Sequence, residues 1–255
     1  MNVIEIKGLN YKYHNKIIFK NLYLKIKQGD FVTILGSSGS GKTTLINLIT
    51  NKLKCNADII INANKISVIN SDICNYLYKT VLDKLTFVLE KENKRNDEIS
   101  NEIMKLANFF QIYRLLNKNI SYLSKGEIIL INFIAALINK PQMIIFDDCL
   151  KYLSWNNLSR VIKYVQMINS NNNITIINFT KNSEEIFYSK TTGFIADKKI
   201  LINNSGNKII NNLDIFKKAN ITLPFMLELS DKLKAYELID SLTFDMNEII
   251  NQIWK

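Results

Sequence analysis

Three short runs along the chain are apolar at consecutive positions: "FVTIL" (31–35), "QMIIF" (142–146) and "NITIINFT" (173–180). A strand with one wet face alternates, so continuous runs rich in β-branched and aromatic residues predict strands covered on both faces of a parallel sheet. Between them the period changes. "TTLINLITNKL" (43–53) repeats its apolar positions at helical spacing, and "EIILINFIAALIN" (127–139) is apolar enough for a buried helix. Residues 3–27 alternate instead, which predicts several short strands ended by the Gly29-Asp30 turn. A helical segment is predicted from about Thr80 to Ser121, and the tail from 212 reads as short amphipathic helices joined by a Leu-Pro turn.

The most specific chemistry sits directly after the first run. "GSSGSGKTT" fits G-x-x-x-x-G-K-[ST] from Gly36 to Thr43, in the order strand, Gly-rich loop, helix. That order separates a phosphate loop from a chance match. Gly36, Gly39 and Gly41 let the backbone curl so that N–H groups of the loop, including Ser37, Ser38, Ser40 and Thr44, face a phosphate. The helix start adds partial positive charge at the same spot. Lys42 is placed to reach the β- and γ-phosphates of ATP, and the Thr43 hydroxyl to ligate Mg²⁺. A second signal is Ser124-x-x-Glu127, a capping box ahead of the long apolar helix.

Composition narrows the setting. An apolar fraction of 47% with 22% charged residues describes a packed protein, with room in 255 residues for one large domain and a small appendage. Nothing has the length of a bilayer-spanning run, and the N-terminus lacks a signal peptide's apolar core, so the expected location is the cytosol. Cys55, Cys74 and Cys149 are scattered, which predicts reduced structural thiols. The net charge of +10 raises nucleic acid as a partner, but Arg95, Arg114 and Arg160 are the only arginines and the lysines form no basic run. No nucleic-acid partner is expected. His14 is the single histidine, so any mechanism that needs a histidine elsewhere is excluded.

With these motifs in place, the chain resembles the ATP-binding subunits of ABC transporters over residues 1–204. "LSKGE" (123–127) is similar to the family signature LSGGQ, "QMIIFDD" to its Walker B strand, and Tyr13 stands where an aromatic stacks on adenine. For Tyr13 a core aromatic remains the alternative. The "LPFMLELSDKL" stretch of the tail and "TVLDKLTFVLE" (80–90) resemble energy-coupling factor ATPases, cytosolic subunits of vitamin and metal-ion importers. The resemblance implies an α/β phosphate-loop NTPase core with an N-terminal antiparallel β subdomain. It also implies a helical subdomain at about 80–140 and a helical appendage at 205–255. ATP and Mg²⁺ are the implied cofactors, with Thr43, Asp147 and Asn70 as metal-site residues. Ser124 and Gly126 would hold nucleotide from across a homo- or heterodimer with another ABC ATPase. An integral membrane transporter subunit would anchor the pair at the inner face of the membrane.

The departures from the family form a pattern. Asp148 stands in place of the catalytic Glu, Asn70 in place of the Q-loop Gln, Lys181 in place of the switch His and Ser154 in place of the D-loop Asp. Asp and Asn keep the chemical group on a shorter stem, while Lys181 cannot accept a hydrogen bond from water. The implied activity is therefore an attenuated ATPase coupled to uptake. A nucleotide-binding pseudo-ATPase and a cytosolic non-transport ABC protein are the alternatives.

Overall fold

The computed structural model describes every residue except 14, 71–77, 91–95, 204–208, 211 and 255. His14 and Cys74, both singled out in the sequence, lie outside the described residues.

The N-terminal residues form two long strands rather than several short ones: β1 (Asn2–Tyr13) and β2 (Lys16–Lys27), paired antiparallel. β1 stays continuous through a register shift between Ile6 and Leu9, since a bulge accommodates an extra residue without ending the strand. Strand β4 (Asp58–Ile61) completes a three-stranded sheet in the order β2-β1-β4.

The other sheet contains β3 (Phe31–Leu35), β5 (Ile66–Ile69), β6 (Met143–Asp147), β7 (Thr175–Thr180), β8 (Thr191–Ala196) and β9 (Lys199–Asn203). Among the described residues its order is β5-β6-β7-β3-β8-β9, parallel except at the β8–β9 hairpin. The continuous apolar runs are covered on both faces, as their pattern predicts. Met143 and Ile145 of β6 pack with Val32, Ile34 and the β1–β2 hairpin, whereas Ile144 and Phe146 face the helices. Helix α1 (Lys42–Ile49) lies in the first layer, burying Leu45, Ile46, Leu48 and Ile49. Each fully buried side chain of this size contributes on the order of 1.5–3 kcal/mol.

On the opposite face lie α2 (Val81–Glu90), α3 (Asn96–Phe110), α4 (Lys125–Ile138) and α5 (Trp155–Asn172). The helical segment expected to Ser121 stops as α-helix at Phe110. Beyond it the chain makes 3₁₀ turns at Tyr113–Leu115 and Ile120–Tyr122, tied to α2 by the Thr80–Asn119 bridge. In the tail, α6 (Asp214–Ala219), α7 (Phe225–Ala235) and α8 (Met246–Ile253) follow the predicted pattern, with Pro224 at the start of α7. This appendage packs on the core: Phe216 meets Phe194 edge-on at 5.0 Å, and Ile215, Ala219 and Leu227 join Leu35 and Ala196 in one apolar cluster. Among the described residues no helix is long and apolar enough to cross a membrane.

Candidate functional site

Strand order decides where the chemistry gathers. Leu35 pairs with Thr180, Asp147 with Phe179, and Ile69 with Phe146. The carboxyl ends of β5, β6, β7 and β3 therefore line up along one edge, the usual ligand position of an open α/β sheet. The residues that follow these strand ends are Asn70, Asp148, Lys181 and Gly36. The phosphate loop is fastened there by the Gly36 N–H, which donates to Thr180 O at 3.0 Å.

The loop's shape depends on a glycine at the start of α1. Gly41 caps α1 in the left-handed region (φ 102), and a Cβ on it would stand 2.8 Å from the Phe19 ring. No other residue fits both the dihedral and the space. Ser37, Ser38 and Gly39 form the rim, and Ser40 N–H donates to Ser37 O at 3.2 Å. Lys42 is 8% exposed, and its ammonium donates to the carbonyls of Gly36 at 2.6 Å and Ser37 at 2.9 Å. Burial pushes its pKa down, while Asp148 and Asp147 nearby oppose that shift.

These residues fit a nucleotide phosphate. The Ser40 hydroxyl is buried with no hydrogen-bond partner among the described residues, and the Lys42 ammonium donates to two loop carbonyls. Both are groups that a phosphate oxygen would satisfy. They also fit Mg²⁺: Thr43 Oγ1 donates to Asp147 Oδ2 at 3.2 Å, which joins a hydroxyl and a carboxylate oxygen, the donor types a hard cation takes. Thr44 is half-buried on the first turn of α1. Tyr13 ends β1 and is 54% exposed, so it is no core aromatic. Tyr11, its neighbour on the strand, packs against the core instead.

Asp148 adopts a left-handed conformation (φ 49) and donates its N–H to Phe179 O at 2.7 Å. Its Oδ1 accepts the Lys181 backbone N–H at 3.2 Å, and its Oδ2 is ion-paired with Lys151. The Lys181 side chain is exposed. Asn70 is half-buried, and its carbonyl accepts from Asn132 Nδ2 of α4 at 3.5 Å. Cys149 is fully buried and its thiol donates to Ile69 O at 3.4 Å. Burial first, then the nearby acidic groups, drive its pKa upward, so it stays a neutral structural thiol.

Ser124 and Gly126 lie apart from this group, in a cleft with Arg114, Tyr152, Ser154 and Arg160. The capping box forms in full: Ser124 Oγ accepts the Glu127 N–H at 3.3 Å, and Glu127 Oε2 accepts the Ser124 N–H at 2.7 Å. Burial opposes ionisation of Glu127, but these Ser124 contacts and Lys118 outweigh it and hold the carboxyl below its ordinary value. A Cβ on Gly126 would meet the Tyr152 carbonyl at 2.5 Å, so this glycine lets the 3₁₀ turn Leu150–Tyr152 pack on the start of α4.

Sequence reasoning missed two residues here. Lys151 follows Asp148 at a spacing of three, which a helical turn brings together, and that spacing was a usable signal. Glu185 gave none, because "SEE" reads as the solvated start of a helix. It is 2% exposed and accepts from Asn178 Nδ2 at 2.8 Å beneath the site. Burial raises its pKa, opposed by hydrogen bonds from Asn178 and Thr180. A carboxyl raised in the folded state stabilises fully below its unfolded pKa of about 4.3, and that contribution is lost as pH climbs through the folded value. Glu185→Gln keeps the neutral shape and is expected to gain stability relative to wild type between about pH 4 and pH 7. Denaturant unfolding at the two pH values measures this, and a pH-independent difference contradicts it.

Comparison with known proteins shows the family. Residues 19–151 match the ABC transporter family. The chain is 27% identical over 270 residues to the energy-coupling factor transporter ATP-binding protein EcfA1 of Mycoplasmopsis synoviae, covering 99% of this chain and 100% of that protein. It is 26% identical to EcfA of Pediococcus pentosaceus, covering 99% and 96%. Among solved structures, cbiO1 from Clostridium perfringens, part of the ABC transporter complex cbiONQ, superposes with a TM-score of 0.69 at 22% identity, covering 86% of this chain and 98% of that one. A nucleotide-free ATP-binding cassette from an ABC transporter gives 0.72 at 19%, covering 87% and 100%. With a family match over more than half of its length, the chain belongs to the ABC transporter family as one of its ATP-hydrolysing cassettes.

Proposed function

We propose that this chain is the ATP-binding subunit of an energy-coupling factor-type importer, with hydrolysis slower than the family's usual. The observation that carries the assignment is coverage: similarity to EcfA1 spans 99% of the chain and so includes the tail, far beyond the cassette match at residues 19–151. A cassette of this kind works in a homo- or heterodimer with another ABC ATPase, docked on an integral membrane subunit that places it at the inner face of the membrane.

In this reading, residues 1–204 are the cassette, with its helical subdomain at about 80–140, and 205–255 form the appendage. Tyr13 stacks on adenine, and the backbone N–H groups from Gly36 to Thr44 hold the phosphates. Lys42 exchanges the Gly36 and Ser37 carbonyls for phosphate oxygens. Mg²⁺ supplies charge neutralisation at the β- and γ-phosphates when bound, held by Thr43 and Asp147 with Asn70 beside it. Asp148 orients water and accepts its proton, and Lys181 adds positive charge near the terminal phosphate. Ser124, Gly126 and the N-terminus of α4 serve the nucleotide of the other subunit. Turnover is slow because Asp148 and Asn70 fall one methylene short and Lys181 cannot accept a proton or a water hydrogen bond.

Co-purification tests the assignment. Affinity capture of the tagged chain from membranes solubilised in mild detergent is expected to recover an integral membrane protein and a second ATPase in fixed proportion. Recovery of the chain alone from the membrane fraction contradicts it.

A further inference from the structure

Both oxygens of the Asp148 carboxylate are engaged, one by the Lys181 N–H at 3.2 Å and the other by the Lys151 ammonium. The fold builds this arrangement. Asp148 is locked in its left-handed conformation by the bond from its N–H to Phe179 O, and the 3₁₀ turn Leu150–Tyr152 carries position 151 back over the carboxylate. The Lys151 ammonium lies over the Tyr152 ring, with Nζ 5.0 Å from its centroid, and Lys125 Nζ of α4 stands 5.3 Å from the same centroid. The side chains of Lys151 and Asp148 are 25% and 27% exposed, so each charge is partly withdrawn from water and relies on a partner.

Lys42 lies in the same field, and Lys151 and Lys181 are both close enough to push its pKa down. Lys42 and Lys151 therefore share the field of the same two aspartates beside the phosphate loop, with the charge of Lys181 close enough to be felt at Lys42. A terminal phosphate brings more negative charge and more acceptor oxygens than a single carboxylate.

We propose that Lys151 is a positioning residue that senses the terminal phosphate: it pairs with Asp148 when that phosphate is absent and with the phosphate when it is bound. The exchange frees Asp148 Oδ2 for water only when ATP, rather than ADP, is in place. It rests on the reading of Asp148 as the base given above. No bond is made or broken, and one ion pair replaces another.

The test is a binding cycle on the full-length chain. Wild type, Lys151→Ala, Asp148→Asn and the double variant are titrated by calorimetry with the Mg²⁺ complexes of ADP and of the non-hydrolysable β,γ-imido analogue of ATP. Lys151→Ala is expected to weaken the analogue about tenfold, the worth of a charge-assisted contact, and to leave ADP within about twofold. Unchanged ADP binding also shows that the variant is folded. Asp148→Asn releases the ammonium and is expected to tighten the analogue severalfold, an effect that vanishes when Lys151 is also Ala. Equal losses for both nucleotides, or a tightening that persists without Lys151, overturn the proposal. Turnover of Asp148→Asn is read separately. Turnover lost without coupling keeps the base and removes the exchange, whereas coupling with turnover indifferent to Asp148 does the reverse.

Discussion

Lys42→Ala is expected to weaken Mg²⁺-ATP binding by at least about a hundredfold and to abolish turnover, the worth of two charge-assisted hydrogen bonds in a partly dry site. The size follows from where the ammonium sits. Lys42 is 8% exposed, and burial already works against its charge. The contacts it makes are to the Gly36 and Ser37 carbonyls, which it can give up for phosphate oxygens. The loop N–H groups and the start of α1 remain in the variant, so residual binding measures their share. Calorimetry with both nucleotides checks the prediction, and a loss smaller than about tenfold means that the backbone cradle alone holds the phosphates.

The second large effect is a gain. Asp148→Glu combined with Lys181→His is expected to raise the turnover rate about a hundredfold, because a base misplaced by a single methylene costs roughly that much. Glu restores the reach of the carboxylate. His restores an acceptor where Lys181 offers only donors. The backbone on either side of position 181 is anchored independently of Asp148, since Thr180 O receives the Gly36 N–H and Thr180 Oγ1 the Asn182 N–H. The new side chains therefore start from a fixed backbone. Phosphate release by the purified variant measures the gain. An unchanged rate would place the limit elsewhere, with the Lys151 ion pair as the nearest remaining obstacle.

Much of the core was legible because its signals are local. "FVTIL", "QMIIF" and "NITIINFT" announce buried parallel strands by pattern alone, and the phosphate loop and the Ser124–Glu127 capping box each lie within a few residues. Asp147 and Asp148 could be placed at a strand end for the same reason. What stayed hidden depends on contacts between distant residues. The long β1–β2 hairpin is held by cross-strand pairs such as Ile6 with Leu24, which join what the sequence reads as several short strands. The appendage docks through Phe216 on Phe194, and nothing local to either residue announces that contact. Glu185 looks like a solvated helix start until Asn178 and the sheet close over it. Lys151 is the intermediate case: its spacing from Asp148 is visible, but the turn that brings the two charges together is a tertiary result.

The central claim is that this cassette binds nucleotide firmly and hydrolyses it slowly through Asp148. Mg²⁺-dependent ATP turnover of the purified chain, alone and with its co-purifying partners, tests it most directly, with Asp148→Asn and Lys42→Ala alongside. The account predicts slow turnover that rises with partners, falls with Asp148→Asn and disappears with Lys42→Ala. Fast turnover by the isolated chain, or turnover indifferent to Asp148, would contradict it.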